Sequence, residues 1–331
     1  MDDSLITSLA GVIALAVPII FAAIGETLTE RSGVINLSVN GTLLLTAMIG
    51  FVVAFETESI LLAFLISALV GGFVALIIAF SSITLKQSQV AVGFVLTLMC
   101  RDLSYFLGNP YMSKPGPRVP ALPIPVLKDI PLIGPLLFNQ DILVYASFIL
   151  IGLAYWWIFK TRPGLMLQGV GERPAAAFTR GSNVNRMRYV YTMIGGALVG
   201  LSGPMYSLSV KAGWNGTISG LDGLGWIALA ITIFGGWNPL RAAAGAYLFA
   251  FLQWLGIFLQ PQLPNIPSQV LQVAPFPLMI LALLLVNVGN AEWVDRTLAG
   301  LPESARRLIA KVLRAMRTSP PASLGVPFEN E

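Results

Sequence analysis

Three polar side chains stand at the head of the second apolar block of this chain: Asn36, Ser38 and Asn40. Asn36 and Asn40 are four residues apart, so on one helix both amides fall on the same face. Inside a bundle, neutral donors and acceptors of this kind could line a polar path for a small polar solute. They equally suit hydrogen bonds between membrane helices. A second group is basic. The segment RPGLMLQGVGERPAAAFTRGSNVNRMR, Arg162–Arg188, carries Arg162, Arg173, Arg180, Arg186 and Arg188, preceded by Lys160 and opposed only by Glu172. Pro174 suits the first turn of a helix and Gly181 its C-terminal end. Between them, Ala-Ala-Ala-Phe-Thr-Arg forms helix readily and holds one large apolar side chain, Phe178. The spacing predicts a helix of about two turns held outside the membrane. Such a piece can dock in a groove on another protein and push on its flanking spans. It can also be a basic loop that only sets topology.

Other chemistry is excluded by what the chain lacks. There is no histidine, which removes the commonest general base and near-neutral proton carrier. The single cysteine, Cys100, rules out an intrachain disulfide. No G-x-x-x-x-G-K-[ST] stands anywhere, so ATP is not bound here by a P-loop, and no H-E-x-x-H zinc site is possible. The ionisable groups nearest to the spans, Arg101 with Asp102 and the isolated Asp222, lie near predicted span ends. Ion-coupled carriers usually need such groups deeper. An intramembrane enzyme finds no nucleophile, metal or carboxylate set, so no catalytic residue and no bound cofactor or metal is expected.

The elements that position these residues are membrane spans. Of 331 residues 56% are hydrophobic and 11% charged, against roughly 25% charged in a soluble domain. Apolar blocks long enough for a bilayer core occur at Leu5–Ala23, Ile35–Ala54, Ile60–Phe80, Val90–Leu107, Ile142–Phe159, Tyr189–Val210, Leu221–Trp237, Ala242–Leu259 and Val270–Val288. They predict an all-α polytopic bundle of about nine (8–10) transmembrane helices within residues 1–290. The Met-Asp-Asp start lacks the basic region of a signal peptide, so the first block is expected to be retained.

Lys and Arg set the orientation. The basic loop 160–188 and the tail after the ninth span, with Arg296, Arg306, Arg307, Lys311, Arg314 and Arg317, are both expected in the cytoplasm, with the N-terminus outside. With a net charge of +4 confined to a few loops, the basic residues speak of topology and not of nucleic acid. The seventh block is apolar only over Trp226–Phe234. A re-entrant segment there would reverse everything after it, so a full crossing is expected. The proline-rich stretch 108–141 is the one long external loop, either a cap, a landing site for an external partner or a plain connector. Residues 291–331 predict an amphipathic helix over Glu292–Arg317, on lipid or on a cytoplasmic subunit, and then a disordered end, Ser319–Glu331. In the sixth span Gly195, Gly196, Gly200 and Gly203 favour close helix approach, Gly196 and Gly200 making a G-x-x-x-G.

The blocks ERSGVINLSVNGTLLL, RYVYTMIGGALVGLSGP and GLGWIALAITIFGGWNPL, together with the basic loop, resemble the permeases of ABC importers for branched-chain amino acids, ribose-type sugars and nucleosides. The likeness runs from Pro18 to Gly289 in matching order and is strongest to the nucleoside and simple-sugar branch. It implies a bacterial or archaeal (inner) cell-membrane protein moving solute inward by alternating access. It implies that the basic loop is the ATPase-coupling loop, with Gly171, Glu172, Pro174, Ala176, Phe178, Gly181 and Arg186 in that role. It implies partners: a cytoplasmic ABC ATPase that binds ATP and Mg, a second permease that is a related chain, and an external solute-binding protein. That branch usually carries glutamate where this chain has Asn40, so the solute or the local contact differs here. A stand-alone secondary transporter or channel, and a branched-chain amino acid permease, are the alternatives.

Overall fold

In lipid every apolar run must satisfy its own backbone hydrogen bonds, and helix is how a single run does so. The computed structural model describes residues 3–131, 133–263, 267–287 and 319–329, and no strand occurs among them. The first half contains α1 (Asp3–Arg31), α2 (Val39–Thr57), α3 (Ile60–Ala79, prolonged by a π-helical turn, Phe80–Thr84), α4 (Gln89–Gly108) and α5 (Ile142–Lys160). Two short helices follow, α6 (Arg162–Glu172) and α7 (Pro174–Thr179). Then come α8 (Val184–Met205, with a π-helical turn, Tyr206–Val210), α9 (Leu224–Phe234), α10 (Pro239–Leu259), α11 (Ser268–Val273) and α12 (Pro275–Asn287). Among the described residues seven of these, α1 to α5, α8 and α10, are long and apolar enough to cross a membrane.

The bundle has two ends. At one, Arg31 closes α1, Gln89 opens α4 and accepts from the Ile35 N–H at 2.7 Å, and Thr84 meets Tyr189 at 2.6 Å. This Arg-rich end carries α6 and α7. At the other, the 108–141 segment folds over the helix ends, with Leu122 N–H on Gln140 O and Ile124 N–H on Phe138 O, both at 2.9 Å. Tyr111 there donates to Glu56, and Gln140 Nε2 to Ala10 O.

Helix α8 forms the centre, packed against α1, α2 and α3. A Cβ on Gly195 would stand 2.1 Å from Thr29 Oγ1, one on Gly196 2.2 Å from Ala75 Cβ, one on Gly200 2.3 Å from Ser67 O, and one on Gly203 2.4 Å from Ala47 N. Backbones come this close only where side chains are absent.

Four expectations need correction. The first span does not stop at Ala23. Helix α1 continues to Arg31 and takes Glu26 and Glu30 inside, both buried. Ionisable groups are therefore not confined to Arg101, Asp102 and Asp222. The full apolar crossing over Leu221–Trp237 is also not a helix throughout. The eleven residues of α9 span about 16 Å, half a bilayer core of roughly 30 Å. Glycines with positive φ precede it, Gly213, Gly216, Gly220 and Gly223, and Gly236 and Trp237 end it in the same way. The chain nonetheless travels from end to end, because Trp214 meets the tip of α4 at Gly108 while Trp237 meets Arg31. The ninth block, Val270–Val288, is broken at Ala274, where Pro275 starts a new helix.

The fourth correction concerns the end of the chain. Residues 319–329 do not behave as a disordered tail but lie on the Arg-rich end, with Ser323 N–H on Gly171 O at 2.9 Å and Gly325 N–H on Gly33 O at 3.0 Å. Free backbone groups found partners, which composition could not reveal. The amphipathic stretch Glu292–Arg317 lies outside the described residues.

Candidate functional site

Two places on this frame carry polar side chains that hydrophobic packing does not explain. The first is the Arg-rich end. Arg173 leaves helical geometry at φ −143°, Pro174 takes the first position of α7, and Ala177 N–H reaches Arg173 O at 3.0 Å. Gly181, at φ +85°, ends it, with its N–H on Phe178 O. The result is under two turns that present Phe178 at 45% exposure, with Ala176, Arg173 and Arg180 exposed around it. Helix α6, where the sequence pattern predicts only loop, leads into α7. Its Gly164 sits where a Cβ would be 1.9 Å from Trp157 O, so α5 and α6 turn sharply on each other.

Gly171 is buried where a Cβ would lie 2.2 Å from Arg31 O. Glu172 is exposed and accepts from Ala322 N–H at 3.3 Å. Arg186 is exposed, and its N–H takes the Asn183 cap that starts α8. The arginine built into the structure is Arg188 instead. It is 1% exposed, with Nη1 on Val326 O at 2.8 Å and Nη2 on Ser323 Oγ at 3.3 Å. Its burial depends on chain 135 and 138 residues further on, which no local motif announces. At the edge of this surface Lys86 pairs with Glu329 and holds that carboxyl below the ordinary carboxylate range.

The second place is the head of α9. Asn40 Nδ2 donates to Asp222 Oδ1 at 2.7 Å, and Asn40 Oδ1 accepts from Gly223 N–H at 2.9 Å and Gly225 N–H at 3.2 Å. One side chain from α2 thus caps a helix that has no cap of its own, since Gly223 has no side chain. Gly225 allows this, because a Cβ there would be 2.3 Å from Asn40 Cα. Tyr105 donates to Asp222 Oδ2 at 3.1 Å. Asp222 is exposed, and Arg101 and Asp102 pair one turn below Tyr105 on α4.

Asn36 does not share a face with Asn40. Helix α2 begins at Val39, so Asn36 lies in the preceding turn, and its Oδ1 accepts from Ser38 N–H and Ser38 Oγ. Ser38 also meets Thr42 at 3.2 Å. The sequence reading missed the buried carboxylates above this turn. Glu26 accepts from Asn36 N–H at 3.2 Å, and Glu30 accepts from Trp237 Nε1, while Arg31 Nε donates to Trp237 O at 2.7 Å. Together they pin the 32–38 turn and the exit of α9 to the end of α1.

The family described as "Branched-chain amino acid transport system / permease component" matches residues 8–287. The guanosine ABC transporter permease protein NupQ of Bacillus subtilis is 34% identical, over 81% of this chain and 88% of its own. The nucleoside ABC transporter permease protein NupC of Lactococcus lactis is 32% identical, over 83% and 91%. A putative glucose ABC transporter permease protein of Haloferax volcanii is 33% identical, over 75% and 78%. No solved structure matches the chain.

Proposed function

The chain belongs to the family of branched-chain amino acid transport system permease components, and on that premise we propose that it is the membrane-spanning permease subunit of an ABC importer for a nucleoside or simple sugar. The solute class rests on the relatives named for nucleosides, guanosine and glucose. One observation carries the mechanism. Helix α7 stands clear of the bundle between two spans and offers Phe178 amid arginines, the form of a docking piece.

In this reading the Arg-rich end faces the cytoplasm, as the excess of Lys and Arg requires. A separate ATPase binds ATP and Mg there, and its closure moves α7. Gly171, Glu172 and Pro174 form the stiff approach to that helix, Ala176 and Phe178 its contact, and Gly181 and Arg186 its exit into α8. Because α8 packs backbone to backbone on α1, α2 and α3, it moves them as a unit, and the bundle re-gates by alternating access. The solute path runs past the exposed Asp222 and the half-buried Tyr105 and Arg101 at the head of α9, with Asn40 fixing that head and Asn36 and Ser38 supporting the turn behind it. Exposed ionisable groups at membrane depth face water or a partner, not lipid. That face takes the second permease, a related chain. The 108–141 segment, opposite, receives the external solute-binding protein.

A stand-alone, ion-coupled carrier would need buried carboxylates that titrate. Glu26 and Glu30 are buried, but both sit at the Arg-rich end and hold the backbone of Asn36 and the indole of Trp237. That is a fastening role.

The test is uptake of labelled guanosine and glucose by cells carrying the full transporter. Uptake should need ATP and survive collapse of the ion gradients. Phe178→Asp should release the ATPase on purification and abolish uptake. Uptake that persists without ATP and collapses with the proton or sodium gradient overturns the assignment, as does a Phe178→Asp complex that remains whole and active.

A further inference from the structure

Phe178 of α7 has a neighbour from the far end of the chain. Phe328 lies 5.8 Å from it, ring centre to ring centre, at 53°. Phe328 arrives on a segment that is fastened at every step. Ala322 N–H meets Glu172, and Ser323 N–H and Oγ both meet Gly171 O, at 2.9 and 2.6 Å. Gly325 N–H meets Gly33 O, Val326 O meets the Arg188 guanidinium, and Glu329 pairs with Lys86. Ser323 is itself 7% exposed. The segment therefore touches α6, α7, the 32–38 turn, α8 and the turn after α3. Its two main anchor points, Gly171 and Gly33, offer backbone carbonyls where no side chain intervenes. A Cβ at Gly33 would lie 2.8 Å from Arg188 Nη2.

The geometry has two consequences. First, the surface offered by α7 is a pair of aromatic rings. Phe178 and Phe328 border a hollow of about 310 Å³ lined also by Ser182, Asn183 and Asn185, and Arg173, Arg180 and Arg186 are exposed on the same connection. An apolar pair on a basic connection suits a partner groove with an apolar floor and an acidic rim. Second, a displacement of α7 reaches the 32–38 turn directly, through Phe328, Val326 and Gly325, without passing along α8. That turn opens α2 and leads to Asn40 at the head of α9.

We propose that the C-terminal segment Pro320–Glu329 is a working part of the ATPase-coupling surface, supplying Phe328 as its second aromatic contact and strapping α7 to the turn that begins α2. This rests on the reading of α7 as the coupling helix, and the test separates the two. The chain is expressed with its cognate ATPase and partner permease, and each variant is scored for ATPase retained on purification and for uptake of labelled guanosine and glucose. Phe328→Ala should weaken ATPase retention about tenfold, the effect of roughly 1.4 kcal/mol of lost contact. Removal of 319–331 should lower uptake at least as far. In a Lys86→Cys/Glu329→Cys variant, a short thiol cross-linker fixes the segment in place, the native Cys100 being buried. Cross-linking should leave uptake intact, because a strap works while attached.

If removal raises uptake and the cross-link stops it, the segment is an inhibitory plug and the proposal fails. If Phe328→Ala and removal leave retention and uptake unchanged, the segment is passive and the proposal fails, while α7 keeps its role provided that Phe178→Asp still disrupts assembly. If Phe178→Asp has no effect, the coupling reading falls first and takes the strap with it.

Discussion

Asn40 and Asp222 lie 182 positions apart in the chain and share a hydrogen bond of 2.7 Å in which the amide donates and the carboxylate accepts. The same amide oxygen takes the N–H groups of Gly223 and Gly225. An asparagine is suited to this position because it donates on one side and accepts on the other. A carboxylate keeps the acceptor and loses the donor.

The first prediction follows from that asymmetry. Asn40→Asp leaves the cap on α9 but sets two carboxylates against each other, whereas Asn40→Ala removes the cap and the donor together. Each single change should cost about 1–3 kcal/mol, seen as a lower melting temperature of the purified protein. Asn40→Asp combined with Asp222→Asn restores a donor opposite an acceptor, and should recover most of the loss. Additive losses in the double variant would refute the pairing.

The second prediction concerns α8. Gly200→Val forces atoms onto Ser67 O, at 2.3 Å for the Cβ alone. Overpacking of this kind costs about 1–3 kcal/mol or more where backbone cannot retreat. Gly152→Ala in α5 and Gly169→Ala in α6 meet nothing within 4 Å, and should be neutral or stabilise by roughly 0.5–1 kcal/mol. Thermal unfolding in one detergent compares all three. Equal effects from Gly200→Val and Gly152→Ala would mean that α8 is not tightly held.

How far these features can be read from sequence depends on how local their causes are. The long spans are legible because lipid demands length and apolarity from each run by itself. Helix α7 is legible because Pro174 and Gly181 bracket it. Helix α9 is not, since Leu221–Trp237 is apolar or small apart from Asp222 and Thr232 and nothing local reveals that Asn40 caps its first turn. The end of α1 is misread for the same reason. Glu26 and Glu30 look like a boundary until the indole N–H of Trp237, 207 residues away from Glu30, is seen to donate to the latter. Asn36 and Asn40 share a helical face only if the helix starts early, and the Asn36–Ser38 turn delays it to Val39. The Ser-Pro-Pro-Ala-Ser end has the composition of a disordered tail, and its order comes from carbonyls at Gly171 and Gly33.

The third prediction fixes the orientation. Glu58 and Arg180 are both exposed and lie at opposite ends of the bundle. A single cysteine at position 58 should react with a membrane-impermeant maleimide in intact cells. One at position 180 should react only after the membrane is opened. The reverse pattern would turn the molecule over and remove α7 from any cytoplasmic ATPase.

The fourth prediction concerns the exit of α9. Trp237 holds φ +54° and joins two neighbours of α1 at once, its indole N–H on Glu30 and its carbonyl on the Arg31 Nε. Trp237→Phe keeps most of the ring and the backbone contact but deletes the only hydrogen on that ring that Glu30 can use. The buried carboxyl oxygen of Glu30 is then left without its donor, a cost of about 1–3 kcal/mol. Glu30→Gln keeps an acceptor for the indole, so it should cost less than Trp237→Phe. With Glu30→Leu in place, Trp237→Phe should cost clearly less than it does alone, because no buried acceptor remains to be stranded. A four-member thermal-unfolding cycle measures this coupling. If the two changes simply add, the link between Glu30 and Trp237 does not hold α9 in place, and its fastening to α1 rests on other contacts, Arg31 Nε on Trp237 O and Thr232 Oγ1 on Ala23 O.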